Sequence, residues 1–527
     1  MEFKNLNQLE QATSSYQTEL VRMGIALLFI AGIIIYTSVQ MQGIEQGYML
    51  IIAAMIGGYM AINIGANDVA NNVGPAVGSK ALTLTGALLI AAIFEAAGAI
   101  IAGGDVVGTI KKGIIDPGAI SDTDVFIWLM MAALLAGAIW LNLATYLGAP
   151  VSTTHSIVGG VLGAGIAAGG FGIANWSKMG AIAASWVISP VLGGIIAALF
   201  LYFIKRTVLT NHNMLNSAKR IVPILIMLMV WAFSTYLIMK GLKKIWKPGI
   251  EIAALTGLGI AVATWFLSQP LIARKANKIQ TNNVLEEKEG VNSLFTVPLI
   301  IAAALLSFAH GANDVANAIG PLAAINEAIL SNGIVSKASI PLWVMMVGAI
   351  GIAIGLILFG PKLIKTVGTE ITELDKTRAF CIAMAAAITV IIASQLGLPV
   401  SSTHIAVGGV FGVGFLREYL KTSYASQLHT IVDQHEGSER EQIEQYLANF
   451  KNASVEEMAR MLKQLKKREA DVFLSKGERK RLKKVYKEEL VKRSALTKII
   501  AAWIITVPAS GLLAAILFFT IRGIMVG

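Results

Sequence analysis

"GANDVANNVGP" (65–75) recurs almost unchanged later in the chain as "GANDVANAIGP" (311–321). A second polar motif, "LGAPVSTTHSIVGGVLGAG" (147–165), recurs as "LGLPVSSTHIAVGGVFGVG" (396–414). The two offsets, 246 and 249 residues, are nearly equal, so the chain contains an internal repeat with both motifs in the same order. We therefore expect a fold built from two copies of one unit.

The composition around these motifs is that of a membrane protein. Of 527 residues, 55% are hydrophobic and only 14% are charged, whereas soluble domains carry about 25% charged residues. Apolar stretches of about 20 residues, enough for a helix to cross a bilayer, recur about ten to twelve times. The alternating ten-residue segments of a membrane β-barrel are absent from the sequence. A single cysteine, Cys381, excludes a disulfide scaffold.

These features predict an all-α polytopic membrane protein with about ten to twelve transmembrane segments and a soluble helical insert. The segments should form two inverted repeats with broken helices or re-entrant hairpins, and the short Gly-rich stretches 156–168 and 405–416 are the candidates for re-entrant halves. Seven crossings between the two GANDVAN motifs, an odd number, predict the inversion. That count takes the segment after each PVS motif as one crossing, and a hairpin there would change it.

A weaker third match, between 186–206 and 503–522, has an offset of 317 residues. Because this offset is larger than the other two, the second repeat contains an insertion. The predicted organisation is an N-terminal segment with an extra transmembrane helix (1–48), a first repeat (49–206), linking helices (207–294), the first part of the second repeat (295–416), a charged insert (417–498) and the last helix of the second repeat (499–527).

The insert carries more than half of the net charge of +11, with 19 Lys or Arg against 13 Asp or Glu. A basic helix of this kind fits RNA or anionic lipid, but no aromatic stacking pattern or nucleic-acid module accompanies the charge. We therefore expect no nucleic-acid partner. The preferred interpretation is a soluble helical loop at 419–494 on the cytoplasmic side of the plasma membrane.

The GANDVAN motifs place ionisable residues at membrane depth. A charged Asp in hydrocarbon costs several kcal/mol, about 2.5–3.5 on insertion scales, so it should face a cavity, a partner or an ion. Glycine and proline flank each motif, so we expect the helix to break there and free backbone groups for ligands. The candidate cation ligands are Asn67, Asp68, Asn71, Asn313, Asp314 and Asn317.

The PVS motifs have the pattern of an anion site. In each, a proline (Pro150 or Pro399) is followed by hydroxyl residues and a Gly-rich apolar helix, which is typical of a helix start. Free amides at a helix N-terminus favour a bound anion. The hydroxyl residues that could surround a small tetrahedral oxyanion are Ser152, Thr153, Thr154, Ser401, Ser402 and Thr403.

The two motifs conflict in charge unless a cation accompanies the anion. Asp68 and Asp314 would repel phosphate or sulfate, and a hard cation between carboxylate and anion removes that repulsion. This charge balance predicts cation–anion symport. Three further polar residues, Glu95, His155 and His404, are weaker candidates. The repeat gives Glu95 no acidic counterpart, because the offset read from the VGT segments aligns it with Gly355.

Two further ionisable residues, His310 and Lys111, lie near the motifs, and we expect neither to belong to the site. His310 has no counterpart in the first repeat, where Ile64 stands, and we leave it out of the site. Lys111 belongs to a charged segment that we expect to be an ordinary solvated loop.

Other functional classes receive less support. An intramembrane enzyme would need a motif such as HExxH, G-x-S-x-G or a metal-spaced Cys/His cluster, and the sequence has none. We therefore expect no catalytic residues and no cofactor. A passive anion channel predicts flux that does not depend on Asp68. A sulfate permease stays open, because charge and tetrahedral shape do not separate sulfate from phosphate.

The segments "GANDVANNVGPAVGSKALTL" (65–84) and "FAHGANDVANAIGPLAAI" (308–325), with both PVS motifs, resemble the paired signatures of the inorganic phosphate transporter family. The resemblance covers the whole apolar body but not the insert. It implies an inverted-repeat, usually dimeric symporter in the bilayer that moves inorganic phosphate with sodium or protons.

On that resemblance, the Asn-Asp pairs and the hydroxyl residues above form the sodium–phosphate site. GANDVAN in both repeats resembles the sodium-coupled branch, since proton-coupled bacterial members tend to carry a histidine near that aspartate. A proton-coupled phosphate or sulfate permease of the same family is the alternative.

Overall fold

The structure is a computed structural model. It describes residues 2–44, 46–120, 122–147, 149, 151–211, 213–241, 248–280, 284–331, 333, 340–370, 374–420, 438–452, 461, 463–465 and 493–526. Most of the insert, including its basic second half, and Pro150 lie outside these residues.

The described chain is helical, as the composition predicted. The only β-type contact in the described ranges is an isolated bridge between Ile115 and Ala174. The helices are α1 (Glu2–Gln40), α2 (Gly47–Gly78), α3 (Leu84–Ala102), α4 (Gly104–Lys112), α5 (Thr123–Tyr146), α6 (Thr153–Gly169), α7 (Trp176–Ile204), α8 (Met214–Gly241), α9 (Ile250–Asn277), α10 (Val284–Leu294), α11 (Thr296–Leu330), α12 (Leu342–Glu370), α13 (Lys376–Gln395), α14 (Ser402–Leu420), α15 (Ser438–Asn452) and α16 (Arg493–Val526).

Eleven of the described helices are long and apolar enough to cross a membrane, within the range of about ten to twelve predicted from the sequence. Helices satisfy their own backbone hydrogen bonds, which is why they suit a lipid environment. The two short stretches after the PVS motifs form α6 and α14, and neither is among the eleven.

The centre of the molecule is the crossing of α2 and α11. Near the start of α2, Gly57 faces the side chain of Leu322, which lies near the end of α11. Further along α2, Asp68 faces His310, which lies earlier in α11. The two helices therefore run antiparallel, and their GANDVAN segments meet in the middle of the molecule.

The glycine of each GANDVAN motif allows close helix packing. A methyl group on Gly65 would overlap the backbone carbonyl of Ile352 in α12, and one on Gly311 would overlap the carbonyl of Glu95 in α3. Small residues at such crossings let transmembrane backbones approach closely. Because these two contacts are equivalent, Ile352 of the second repeat corresponds to Glu95 of the first. The sequence alignment had placed Gly355 at this position.

The prediction of a helix break at GANDVAN is wrong. Both α2 and α11 continue as helix through their Asn-Asp pairs. The glycines serve close packing, and Pro75 and Pro321 lie inside the helices, one turn or more beyond the aspartates. The chain leaves helical geometry instead at the PVS motifs, just before α6 and α14.

The last helix of each repeat packs against the other repeat. In α14, methyl groups on Gly408 and Gly412 would overlap the carbonyls of Pro190 and Gly194 in α7. A methyl group on Gly163 of α6 would likewise overlap the carbonyl of Gly511 in α16. Gly163 and Gly412 are 249 positions apart, and Gly194 and Gly511 are 317 positions apart, so the two contacts are equivalent in the two repeats. The two hydroxyl motifs therefore lie side by side, each held by a helix from the other repeat.

Candidate functional site

Four ionisable side chains meet where α2, α3 and α11 cross. Asp68, Glu95, His310 and Asp314 are each at most 1% exposed. His310 Nε2 lies 2.9 Å from Asp314 Oδ2 and 3.8 Å from Asp68 Oδ2, while His310 Nδ1 lies 3.3 Å from Glu95 Oε1. Asn72 completes the cluster by donating a 2.7 Å hydrogen bond to Glu95.

His310 is the residue of this cluster that the sequence reasoning missed. It was left out because the first repeat has Ile64 at the matching position, so the search for duplicated residues rejected it. The helical spacing could have predicted its place in the cluster. His310 and Asp314 are four residues apart, and residues at this spacing share a helix face. Glu95 and Asn72 belong to the same asymmetric cluster, because Ile352 and Ala318 stand at their equivalent positions.

Each aspartate faces a hydroxyl group from the opposite repeat. Thr403 of α14 donates a 3.0 Å hydrogen bond to Asp68 Oδ1, and Asn71 Nδ2 donates to Thr403 Oγ1 at 2.8 Å. On the other side, Thr153 of α6 donates to Asp314 Oδ2 at 3.3 Å. The carboxylates and hydroxyls predicted from separate motifs thus form one buried site.

The hydroxyl contacts are not symmetric between the repeats. Thr154, the counterpart of Thr403, donates to the backbone carbonyl of Val400 at 2.9 Å instead of to an aspartate. Asn317 Nδ2 lies 3.2 Å from both Thr153 and Thr154. The half of the site around Asp314 therefore relies on Thr153, whose counterpart in the second repeat is Ser402.

Asn67 and Asn313 hold the chain that leads into the PVS motifs. Asn67 Nδ2 donates to Thr145 at 3.0 Å and to the carbonyl of Ala149 at 3.4 Å. Asn313 Nδ2 makes the equivalent bonds, to Ser394 at 3.0 Å and to the Leu398 carbonyl at 3.2 Å. Their amide nitrogens thus support the loops.

The helix starts that follow these loops are capped by serine. Ser152 Oγ accepts a hydrogen bond from the amide of His155 at 3.1 Å, and Ser401 Oγ accepts one from the amide of His404 at 3.2 Å. Each serine thereby satisfies one amide of the first turn, and its own hydroxyl hydrogen can still be donated. Ser402 Oγ is buried without a hydrogen-bond partner.

The imidazoles of His155 and His404 lie behind these helix starts. Their ring centroids are 4.5 Å apart and the rings meet edge to face. Trp186 of α7 packs against His155 with a centroid distance of 3.8 Å. His155, His404 and Trp186 therefore form an aromatic cluster, and none of these ring contacts involves His310.

Several buried oxygens at the site have no hydrogen-bond donor. They are Asn67 Oδ1, Asn72 Oδ1, Glu95 Oε2, Asp314 Oδ1 and Asn317 Oδ1. Carboxylate and amide oxygens are the ligands that hard cations prefer. One ligand atom from each of Asp68, His310 and Asp314 lies within 4.8 Å of the others, close enough to surround one ion.

Among the described residues the only buried Lys or Arg is Lys111, and it forms an ion pair with Glu327. The expectation that Lys111 lies in a solvated loop is therefore wrong. It lies in the last turn of α4, where Glu327 of α11 provides an opposite charge at low exposure. Lys111 is thus occupied elsewhere and does not neutralise the carboxylates of the site.

The described structure thus defines a multi-pass α-helical membrane protein with one buried site of carboxylates, hydroxyls and helix N-termini shared between two repeats. A family model described as "Phosphate transporter family" matches residues 64–514. The chain belongs to this family, and the resemblance noted from the motifs is confirmed.

Individual relatives agree with the family match. Two are named "Putative phosphate permease": one from Helicobacter pylori strain J99 is 53% identical over 98% of both chains, and one from Pyrococcus abyssi is 40% identical over 70% of this chain and 89% of its own. A solved structure titled "The sodium-dependent phosphate transporter" superposes with a TM-score of 0.73 at 31% identity, covering 90% of this chain and 100% of the other.

Proposed function

We propose that the protein imports inorganic phosphate by sodium-coupled symport with alternating access. One observation carries the proposal: Asp68 and Asp314 contact the hydroxyl groups of the PVS helices from the opposite repeat. Family membership supports phosphate as the substrate. The structural relative described as sodium-dependent supports sodium as the coupling ion.

The physical basis is charge neutralisation. The first turns of α6 and α14 offer backbone amides and hydroxyl donors to the phosphate oxygens. The unpartnered oxygens of Asp314 and Asn317 would hold sodium on the side of the carboxylates. Phosphate then brings negative charge next to the cation, so each ion raises the affinity of the site for the other.

The architecture supports alternating access. We propose that the repeats are inverted, an inference supported by the antiparallel crossing of α2 and α11. In transporters with inverted repeats, the site lies near the midplane and one repeat rocks against the other. We also propose a homodimer in the plasma membrane with the 419–494 insert on the cytoplasmic side, as the family resemblance and positive-inside tendency suggest.

A second candidate is proton-coupled transport, and His310 is the observation that favours it. Proton-coupled bacterial members of the family tend to carry a histidine near the GANDVAN aspartate, and here His310 Nε2 lies 2.9 Å from Asp314. Histidine is the side chain suited to carry a proton near neutral pH. Glu95, 3.3 Å from the other ring nitrogen, extends this candidate path.

Uptake of radiolabelled phosphate into proteoliposomes distinguishes the candidates. Sodium coupling predicts accumulation driven by an inward sodium gradient at equal pH on both sides. Accumulation that follows a pH gradient and ignores sodium would replace it with proton coupling. Competition with unlabelled sulfate tests the substrate, because a sulfate permease would be inhibited by sulfate at least as strongly as by phosphate.

A further inference from the structure

Trp186 touches both helix starts that we assign to phosphate. It lies on α7, within the first repeat, but its indole N–H donates a 3.2 Å hydrogen bond to the carbonyl of Pro399 in the second repeat. Its ring packs on His155 at 3.8 Å with an interplanar angle of 50°. His155 in turn contacts His404 at 4.5 Å.

This contact lies directly before the first turn of α14. Pro399 is followed by Val400, and then by Ser401, which caps the helix. The Val400 carbonyl accepts the hydrogen bond of Thr154 from α6. The short segment 399–401 is therefore held from one side by Trp186 and from the other by the opposite PVS helix.

The aromatic cluster of Trp186, His155 and His404 borders a cavity. This cavity of about 1080 Å³ lies between α7, α14 and α16, and its lining includes Trp186, Val187, Val191 and Ile504. Val187 and Ile504 are 68% and 69% exposed on membrane-spanning helices, so the cavity opens at the outer surface of these helices. Trp186 borders this cavity, and the contacts described for it on the protein side are the hydrogen bond to Pro399 and the packing against His155.

The cation side of the site has a different support. Asp68 and Asp314 lie in the continuous helices α2 and α11 and contact His310. Their links to the PVS helices are the side-chain hydrogen bonds from Thr403 and Thr153, and no described interaction joins them to Trp186. A change at Trp186 should therefore act first on the phosphate donors through segment 399–401, and on Asp68 only through the side chain of Thr403.

We propose that Trp186 is a positioning residue for phosphate, which sets the first turn of α14 relative to α6 and affects phosphate binding more than sodium binding. The proposal rests on the proposed function, because it takes phosphate to bind at these helix starts. The buried site then has two supports. Helices α2 and α11 hold the cation ligands, and the aromatic cluster of Trp186, His155 and His404 positions the anion donors.

The test is Trp186→Phe, which keeps an aromatic ring against His155 and removes the bond to Pro399. Trp231→Phe is the matched control, because Trp231 Nε1 donates a 2.9 Å bond to the carbonyl of Ala254 between the linking helices α8 and α9. Since one hydrogen bond contributes modestly, we expect the KM for phosphate to rise about fivefold in Trp186→Phe. The KM for sodium, measured at saturating phosphate so that the coupling between the ions does not transfer the defect, should rise by no more than about twofold. Trp231→Phe should change neither KM.

A second readout does not need transport. Sodium alone should raise the melting temperature of Trp186→Phe as much as that of the unchanged protein, whereas the added increment from phosphate should be smaller. Trp186→His, which retains a ring and an N–H group, should recover part of the phosphate affinity and serves if the Phe variant does not fold.

Two outcomes overturn the positioning role: an unchanged phosphate KM in folded Trp186→Phe, or an equal rise in the sodium and phosphate KM values. Either result leaves the proposed function intact if the unchanged protein still shows sodium-driven phosphate uptake. Loss of that uptake in the unchanged protein refutes the proposed function itself.

Discussion

Thr403 donates a hydrogen bond of 3.0 Å to Asp68, although the two residues are 335 positions apart in the chain. Asp68 belongs to the GANDVAN motif of the first repeat and Thr403 to the PVS motif of the second. Thr153 and Asp314 form the reverse pair at 3.3 Å. Neither repeat therefore holds a complete site, and a motion of one repeat against the other acts on every ligand in it.

Asp68→Asn should abolish phosphate uptake. The substitution removes a negative charge that the coupling ion would neutralise, while it keeps the shape of the side chain. We expect the initial rate to fall by at least about tenfold, the equivalent of 1.4 kcal/mol. Asp116→Asn is the control, because Asp116 lies exposed before a short 3-10 turn. Retained uptake in Asp68→Asn would favour a passive anion pathway.

Replacing the two matching threonines by valine should produce different defects. Thr403 contacts Asp68, so Thr403→Val should raise the KM for sodium, by roughly tenfold or more for a hydrogen bond to a charged group. Thr154 contacts the Val400 carbonyl, so Thr154→Val should mainly raise the KM for phosphate. Steady-state uptake at varied sodium and varied phosphate separates the two. Identical defects would contradict the asymmetric arrangement.

Glu95 and His310 should behave as one unit. Their side chains are 3.3 Å apart and fully buried, so loss of either leaves the other without its partner. We expect Glu95→Gln and His310→Gln each to lower kcat/KM, and the double variant to be little worse than the more damaging single change. The uptake kinetics of all four proteins give this comparison. Additive effects would show that the two residues act separately.

Gly65→Ala should destabilise the protein, because the new methyl group would overlap the Ile352 carbonyl. Overpacking of this kind costs about 1–3 kcal/mol. Gly180→Ala is the control, since nothing lies within 4 Å of the added carbon. Thermal unfolding in detergent should show a lower melting temperature for Gly65→Ala only. An unchanged melting temperature would mean that α2 and α12 are less tightly packed than described.

The sequence predicted the helical fold and brought the right motifs together, because both signals are periodic or duplicated. Two Asp residues at equivalent positions predicted a buried site without any structural information. The helix break at GANDVAN was wrong because Gly65 and Gly311 have a packing role that composition cannot distinguish from a breaking role.

His310 and Lys111 could not be assigned by repeat comparison. Both interact with partners that are distant in sequence or absent from the other repeat: His310 contacts Glu95, and Lys111 pairs with Glu327. Asymmetry of this kind becomes visible only when the helices are packed. The same holds for Trp186, whose partner Pro399 lies 213 positions away.

Sodium influx driven by phosphate tests the shared site most directly. Proteoliposomes with equal sodium on both sides receive a phosphate gradient, and uptake of radioactive sodium is recorded. Because coupling between two ligands is reciprocal, we predict that inward phosphate movement draws sodium inward, and that Asp68→Asn abolishes both fluxes. Phosphate entry without any sodium movement would contradict the account of a common sodium–phosphate site.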